Sequence, residues 1–211
     1  MMLEQAKISL TQVHAGPLFG DWPFKGLVQN SFDFIMADCP WSFDNYSAKG
    51  EAKNAKARYE CMPLADIQRL PVMDLAKPDC ALWMWATNPM LPQAIETLRS
   101  WGFTFVTSGT WGKTTRHGKI AFGTGYALRC ASEPFLIGKR GSPVFTKSTR
   151  SFFHGMIRKH SQKPEEAYAI AEKMLNRKVH KEPQFLELFS RTNRKGWTVF
   201  GDEIGKFGDA L

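Results

Sequence analysis

No stretch of this chain approaches the run of roughly 20 apolar residues that a membrane-spanning helix needs, which argues against a helical membrane protein. The N-terminus, Met1-Met2-Leu3-Glu4-Gln5, lacks the basic-then-apolar pattern of a signal peptide, so a cytosolic protein is expected. Only four cysteines are present, Cys39, Cys61, Cys80 and Cys130, and none forms a C-x-x-C pair. Their spacing supports neither a zinc site nor a disulfide framework, and four reduced thiols with no metal is the reading. The first apolar run is not followed by Gly-x-Gly-x-x-Gly. The fragment Gly123-x-Gly125 is too short to serve as a phosphate-cradling loop. There is no internal repeat and no low-complexity tract.

Acidic residues are scarce where basic ones are dense. Between Trp111 and Lys163 there are eleven Lys or Arg and a single acid, Glu133, so this segment is more positive than the whole chain at +8. Aromatic residues and glycines interleave those charges. That is the electrostatic footprint of a polyanion partner, most simply nucleic acid, and a solvated basic surface is the alternative.

With 211 residues, 43% of them apolar and 13% aromatic, the chain suits one folded domain with a real core, taken as residues 1–211. Short runs rich in β-branched and aromatic residues predict strands at Phe32–Ala37, Ala81–Ala86, Phe103–Thr107, Pro134–Gly138, Phe185–Phe189 and Trp197–Phe200. Apolar residues at helical spacing predict helices over Leu91–Trp101, stopped by Gly102, and over Pro164–Leu175, with a shorter one over Leu64–Arg69. The second opens with Glu165 and Glu166 and is followed by Arg177 and Lys178, which suits the helix dipole. Apolar strands alternating with helices predict an α/β sandwich with a mainly parallel central sheet flanked by helices. The segments Ser42–Tyr59, Gly112–Tyr126 and much of Arg140–Gln162 read as long loops, a common form for lids and binding loops.

Ligands in such folds bind at the carboxyl ends of strands. Three polar sites fall there: Asp38, Thr87-Asn88 and Arg191. The first opens the tetrapeptide Asp38-Cys39-Pro40-Trp41. An exocyclic amine on adenine or cytosine is a weak nucleophile because its lone pair is delocalised into the ring. A carboxylate and a backbone carbonyl that each accept one amine hydrogen favour a pyramidal nitrogen with an available lone pair. Asp38 and the Cys39 carbonyl are such a pair, Pro40 restrains Cys39 towards an extended conformation, and Trp41 offers a surface on which a base can stack.

Asp38-Cys39-Pro40-Trp41 resembles the Asp-Pro-Pro-Trp signature of the MT-A70 family, the S-adenosylmethionine-dependent adenine N6 methyltransferases. The order of the remaining motifs is similar too. Leu82-Trp83-Met84-Trp85-Ala86-Thr87-Asn88 looks like the family's second buried strand, followed by Trp101-Gly102-Phe103 and Trp111-Gly112-Lys113-Thr114. Gly123-Thr124-Gly125-Tyr126, Glu133 and Gly138-Lys139-Arg140-Gly141 come next. His160-Ser161-Gln162-Lys163-Pro164-Glu165-Glu166 resembles the family's His-Lys-Pro helix opening, and Glu187-Leu188-Phe189-Ser190-Arg191 its Glu-Leu-Phe-x-Arg strand. Gly196-Trp197 and Gly201-Asp202-Glu203 close a set covering roughly residues 30–205. One departure is Cys39, where the family usually has proline.

The resemblance implies a Rossmann-like methyltransferase sandwich with its cofactor-binding elements late in the chain. It implies catalysis at Asp38, Cys39, Pro40 and Trp41, with Tyr59 near the target base. Its implied cofactor set for S-adenosylmethionine is Asp21, Asp38, Ser161, Lys163, Glu187, Phe189, Arg191, Asn193, Arg194, Asp202 and Glu203. Within it Ser161 and Lys163 meet the methionine end, and Arg191, Asn193 and Arg194 with Asp202 and Glu203 hold ribose and adenine. Lys49, Lys53, Lys56 and Arg58 make the loop before Tyr59 basic, and Lys113, Arg116, Lys119, Arg140 and Arg158 add to the nucleic-acid surface. The expected activity is methyl transfer to N6 of adenine in DNA, in the manner of a bacterial or phage enzyme. RNA as substrate and a non-catalytic nucleic-acid-binding scaffold are the alternatives, and a homodimer stays open.

Overall fold

Strand β1, Phe32–Ala37, is buried along its whole length because its two faces meet different apolar layers. Ile35 and Ala37 enter one core with Leu82, Met84, Leu98 and Leu186. Phe34 and Met36 enter the other with Trp83, Trp85, Ala171 and Trp197. Its one acid, Asp33, is satisfied by Lys77 at 2.6 Å and by the Gln184 backbone N–H at 2.8 Å. The computed structural model describes residues 22–42, 61–125, 127–159 and 161–210.

After β1 come helices α1 (Leu64–Arg69) and α2 (Val72–Leu75), then strand β2 (Ala76–Trp85). A single 3-10 turn, Asn88–Met90, leads into α3 (Leu91–Ser100). Strands β3 (Thr104–Thr114), β4 (Ser132–Arg140) and β5 (Phe152–Met156) precede helix α4 (Glu165–Met174). The chain continues through β6 (Phe185–Leu188), β7 (Asn193–Arg194), β8 (Trp197–Phe200) and β9 (Asp209–Ala210). Seven strands form one sheet in the order β5-β3-β4-β2-β1-β6-β8, and β7 pairs with β9 separately. Side chains of α1, α2 and α3 pack into the core on one face and those of α4 into the core on the other.

The sheet is mixed. β1 runs parallel to β2 and β6, β6 to β8, and β3 to β5, whereas β4 runs antiparallel to both β2 and β3. The expected α/β fold is present with a mixed sheet in which β4 alone is reversed, and that reversal matters for the site. The start of β4 lies beside the ends of its neighbours: Trp85 faces Phe135 and Trp111 faces Glu133. The lone acid of the basic segment therefore arrives at the edge where β1 delivers Asp38.

Two segments read as loops contain strand. β3 continues through Thr114, and Phe152–Met156 adds the parallel edge strand β5. Glycines hid the first. A Cβ at Gly109 would stand 2.1 Å from the Phe135 ring and 2.7 Å from the Ser151 carbonyl, and one at Gly112 would stand 2.7 Å from the Phe152 ring. These glycines permit close approach inside a sheet, although in sequence they look like breakers. α4 is capped by Pro164 in an extended conformation, carries Glu165 and Glu166 in its first turn, and buries Ala167, Tyr168, Ala171 and Met174.

Candidate active site

β1 ends at Ala37 and releases Asp38 at the carboxyl edge of the sheet, where its N–H meets the Leu188 carbonyl of β6 at 3.4 Å. The two neighbours of β1 belong to crossovers on opposite faces, so a crevice opens at this point. It is lined by Asp38, Ser161, Lys163, Glu187, Phe189, Arg191 and Arg194, together with Arg158, Glu165, Tyr168 and Phe207. Most of the expected cofactor set therefore converges on one cleft from three separate stretches of chain. Asp202 and Asn193 are not among the lining residues. Glu203 connects through Arg191, whose Nε donates to it at 2.9 Å.

Lys163 sits just before α4 and is nearly fully buried. Its Nζ lies 2.9 Å from Asp38 Oδ2, 2.9 Å from Glu133 Oε1 and 5.3 Å from the centre of the Trp85 ring. Burial alone would favour a neutral amine, but the carboxylates of Asp38 and Glu133 outweigh it and hold the ammonium well above the ordinary lysine range. Glu133 shows the reverse balance. Burial pushes its carboxyl up, and Lys163 and Lys113, the latter at 2.9 Å, bring it down to about 2. Arg191 adds a second cation near Asp38, at 3.6 Å from the same Oδ2. Both cations thus address one oxygen of the Asp38 carboxylate.

A second cluster forms the floor. Glu187 accepts from the Tyr168 hydroxyl at 2.6 Å and from Ser190 at 2.9 Å, and burial pushes its carboxyl up, partly offset by those two bonds. The Arg194 guanidinium lies 3.5 Å from the centre of the Tyr168 ring and donates to Glu165 at 2.7 Å. Arg158 also bonds Glu165. Phe189 turns the chain out of β6 with φ of 61°, and Ser161 has φ of 63° just ahead of Lys163, two left-handed residues flanking the cleft.

The tetrapeptide is tightly folded. The Trp41 N–H bonds the Cys39 carbonyl at 2.8 Å, closing a turn around Pro40, and the Pro40 carbonyl accepts from Met62 at 3.1 Å. Trp41 is only 3% exposed, and its indole N–H donates to the Trp85 carbonyl at 3.1 Å. The ring expected to stack on a base is packed in the core. The Cys39 thiol is buried too, and that burial, with Asp38 beside it, raises it well above the usual thiol range.

The expected basic residues divide by position. Lys113 belongs to the carboxylate nest, Arg158 lines the cleft, and Arg116 and Lys119 stand on the β3–β4 hairpin. Arg140 is at the opposite edge of the sheet, paired across from Cys80, and donates to the carbonyls of Met73 at 2.9 Å and Ala76 at 2.5 Å. Its place makes it a structural anchor, away from Asp38. Asp21, Lys49, Lys53, Lys56, Arg58 and Tyr59 lie outside the described residues. The site also contains residues not assigned a role from sequence. Glu133 stands out in the sequence as the lone acid of a basic segment and as one of the ordered motifs, with no role attached, Ser190 fills only the variable position of the Glu-Leu-Phe-x-Arg strand, and Tyr168 has no distinguishing signal.

The donor set suits S-adenosylmethionine. Cations and carboxylates stand close together for an amino-acid end, and Phe189 and Phe207 offer apolar surface for a flat base. The buried Nε of Arg194 has no hydrogen-bond partner among the described residues. An unsatisfied donor of this kind at a cleft wall is suited to a ligand oxygen.

Comparison with known proteins places this geometry in a lineage. The chain is 28% identical over 203 residues to the type II methyltransferase M.MunI of Mycoplasma sp, covering 87% of this chain and 82% of that protein. It is 29% identical over 194 residues to the human N(6)-adenine-specific methyltransferase METTL4, covering 85% of this chain and 39% of the other. An Arabidopsis thaliana N(6)-adenosine-methyltransferase MT-A70-like protein is 26% identical over 186 residues, 86% of this chain and 25% of its own length. The chain thus spans most of the Mycoplasma protein and well under half of the other two. A family model named MT-A70 matches residues 32–203, from the first residue of β1 to the Glu203 that pairs with Arg191, and the chain belongs to the MT-A70 family of adenine N6 methyltransferases.

Proposed function

We propose that this chain is a single S-adenosylmethionine-dependent methyltransferase domain acting on N6 of adenine in DNA. The observation that carries the reading is the placement of Asp38 at the mouth of the cleft, with Lys163 and Arg191 both on Oδ2. The cations hold the carboxylate in one orientation and leave Oδ1 to accept a hydrogen of the target amine. The Cys39 carbonyl, whose direction is set by the turn around Pro40, accepts the second hydrogen through its remaining lone pair. Preorganised acceptors of this kind lower the barrier because they need not reorganise during reaction.

Lys163, Arg191 and Arg194 would hold the carboxylate and ribose oxygens of S-adenosylmethionine, with Phe189 against its adenine. When bound, that cofactor supplies a methyl group made electrophilic by its sulfonium. An adenine stacked in a duplex cannot reach Asp38, so the substrate base is flipped or single-stranded. The likeness to a type II methyltransferase most of whose length the chain covers supports DNA. A relative named for adenosine supports RNA as the second reading.

Mass spectrometry of nucleosides after incubation of the protein and S-adenosylmethionine with DNA and, separately, with RNA identifies polymer, base and atom together. The expected product is N6-methyldeoxyadenosine. N6-methyladenosine from the RNA arm alone would replace the DNA reading, and nucleic-acid binding with no methylated nucleoside in either arm would leave a non-catalytic scaffold.

A further inference from the structure

The β3–β4 hairpin presents apolar side chains where a soluble protein has reason to hide them. Phe122 is 63% exposed, Ile120 68% and Leu128 82%. Single exposed apolar residues are ordinary. These three share one short segment that contains Arg116, Lys119 and Arg129 and no acid from Lys113 to Ser132.

The segment is also well braced. Ala121 N–H bonds the Lys113 carbonyl at 2.9 Å, Gly123 N–H bonds Cys130 at 2.8 Å, and Cys130 N–H bonds Thr124 at 3.0 Å. Arg129 donates to the Gly123 carbonyl at 2.6 Å, and its guanidinium carbon stands 5.0 Å from the centre of the Phe122 ring. One face of Phe122 is therefore backed by a cation, and the ring remains mostly open to solvent. The hairpin is tied to the site where Lys113 reaches Glu133, and it is braced on its other side by Asn88, which opens the 3-10 turn after β2 and reaches the Cys130 sulfur at 3.6 Å.

We propose that Phe122, backed by Arg129, is a stacking platform for a base adjacent to the target adenine, with Arg116 and Lys119 against the flanking phosphates. The inference rests on the nucleic-acid reading above and extends it to a named contact. A nucleobase suits the platform better than a protein surface does. Every base has a flat face that stacks on an aromatic ring, and the cations around the ring match a phosphate backbone. Because stacking tolerates any base, the platform would position the strand without specifying its sequence.

Fluorescence anisotropy with a short labelled single strand tests this, using one intact strand and one with abasic positions on both sides of its adenine. Phe122→Ala is expected to weaken binding of the intact strand about 10-fold, to leave binding of the abasic strand unchanged, and to keep the salt dependence of the wild type. Phe122→Trp restores the affinity, and Lys119→Ala lowers the salt slope by about one. Phe122 is exposed, so its replacement leaves the core intact.

Equal losses on both strands, no loss on the intact strand, or a wild-type protein that binds neither strand would overturn the platform. Methyl transfer by wild type with normal binding by Phe122→Ala removes the platform and leaves the proposed function. Binding through Phe122 by a protein that transfers no methyl removes the proposed function and leaves the platform.

Discussion

Lys163 places its Nζ 2.9 Å from Asp38 Oδ2, although 125 residues separate the two in the chain. The contact joins the end of the first strand to the start of the last long helix, and Glu133, also bonded to the ammonium, completes a row of alternating charge with the buried Lys163 at its centre and half-buried acids beside it. Buried charges persist only where they are paired, and each member of this row depends on its neighbours.

Asp38→Asn keeps the size of the side chain and replaces a carboxylate with a neutral amide. Methyl transfer to adenine is expected to fall about 10²–10³-fold, the range for losing one preorganised polar group at a reacting centre. Labelled-methyl incorporation measures it. A variant within a few-fold of wild type would remove Asp38 from the chemistry.

Glu133 makes stability depend on acid in a defined window. Its folded carboxyl titrates near 2 against an ordinary 4.5, so its contribution is present above about 4.5 and disappears as the pH falls towards 2. Urea midpoints measured from pH 6 downward should decline across that interval. Glu133→Gln should start lower and lose that part of the decline. Removing the charge leaves Lys163 with one carboxylate in place of two, and a cost of up to about 3–5 kcal/mol applies where a buried pair is broken.

Arg140→Ala separates a structural cation from a binding one. The two carbonyls it serves, those of Met73 and Ala76, lose a charged donor, and a loss of about 1.5–3 kcal/mol is expected in urea unfolding. Affinity for a labelled oligonucleotide and its salt slope should stay at wild-type values. A reduced slope would show that Arg140 touches phosphate after all.

Burial of Cys39 and Cys80 leaves both thiols protonated and shielded in the folded protein. Iodoacetamide at neutral pH should modify these two only after denaturant is added, with the modified peptides read by mass spectrometry. Rapid labelling of native Cys39 would show that the turn around Pro40 opens.

Much of the scaffold was legible because its signals are local. The apolar run Phe32–Ala37 needs burial on both faces, and the acids after Pro164 favour a helix start, so β1 and α4 were found nearly to the residue. The resemblance of ordered motifs likewise selected most of the residues lining the cleft. The sequence by itself determined which side chains are available: a carboxylate after a buried strand, a lysine before a helix, and an arginine after β6.

Tertiary structure alone decided how they are used. β3 was longer than expected because Gly109 and Gly112 make room for Phe135 and Phe152, neighbours that are distant in sequence. β4 runs against its neighbours, and that reversal carries Glu133 to Lys163 and leaves Arg140 at the far edge. Trp41 enters the core because a turn around Pro40 directs its indole to the Trp85 carbonyl, 44 residues away. Strand direction and long-range pairing are properties of the whole sheet, and no local pattern of residues encodes them.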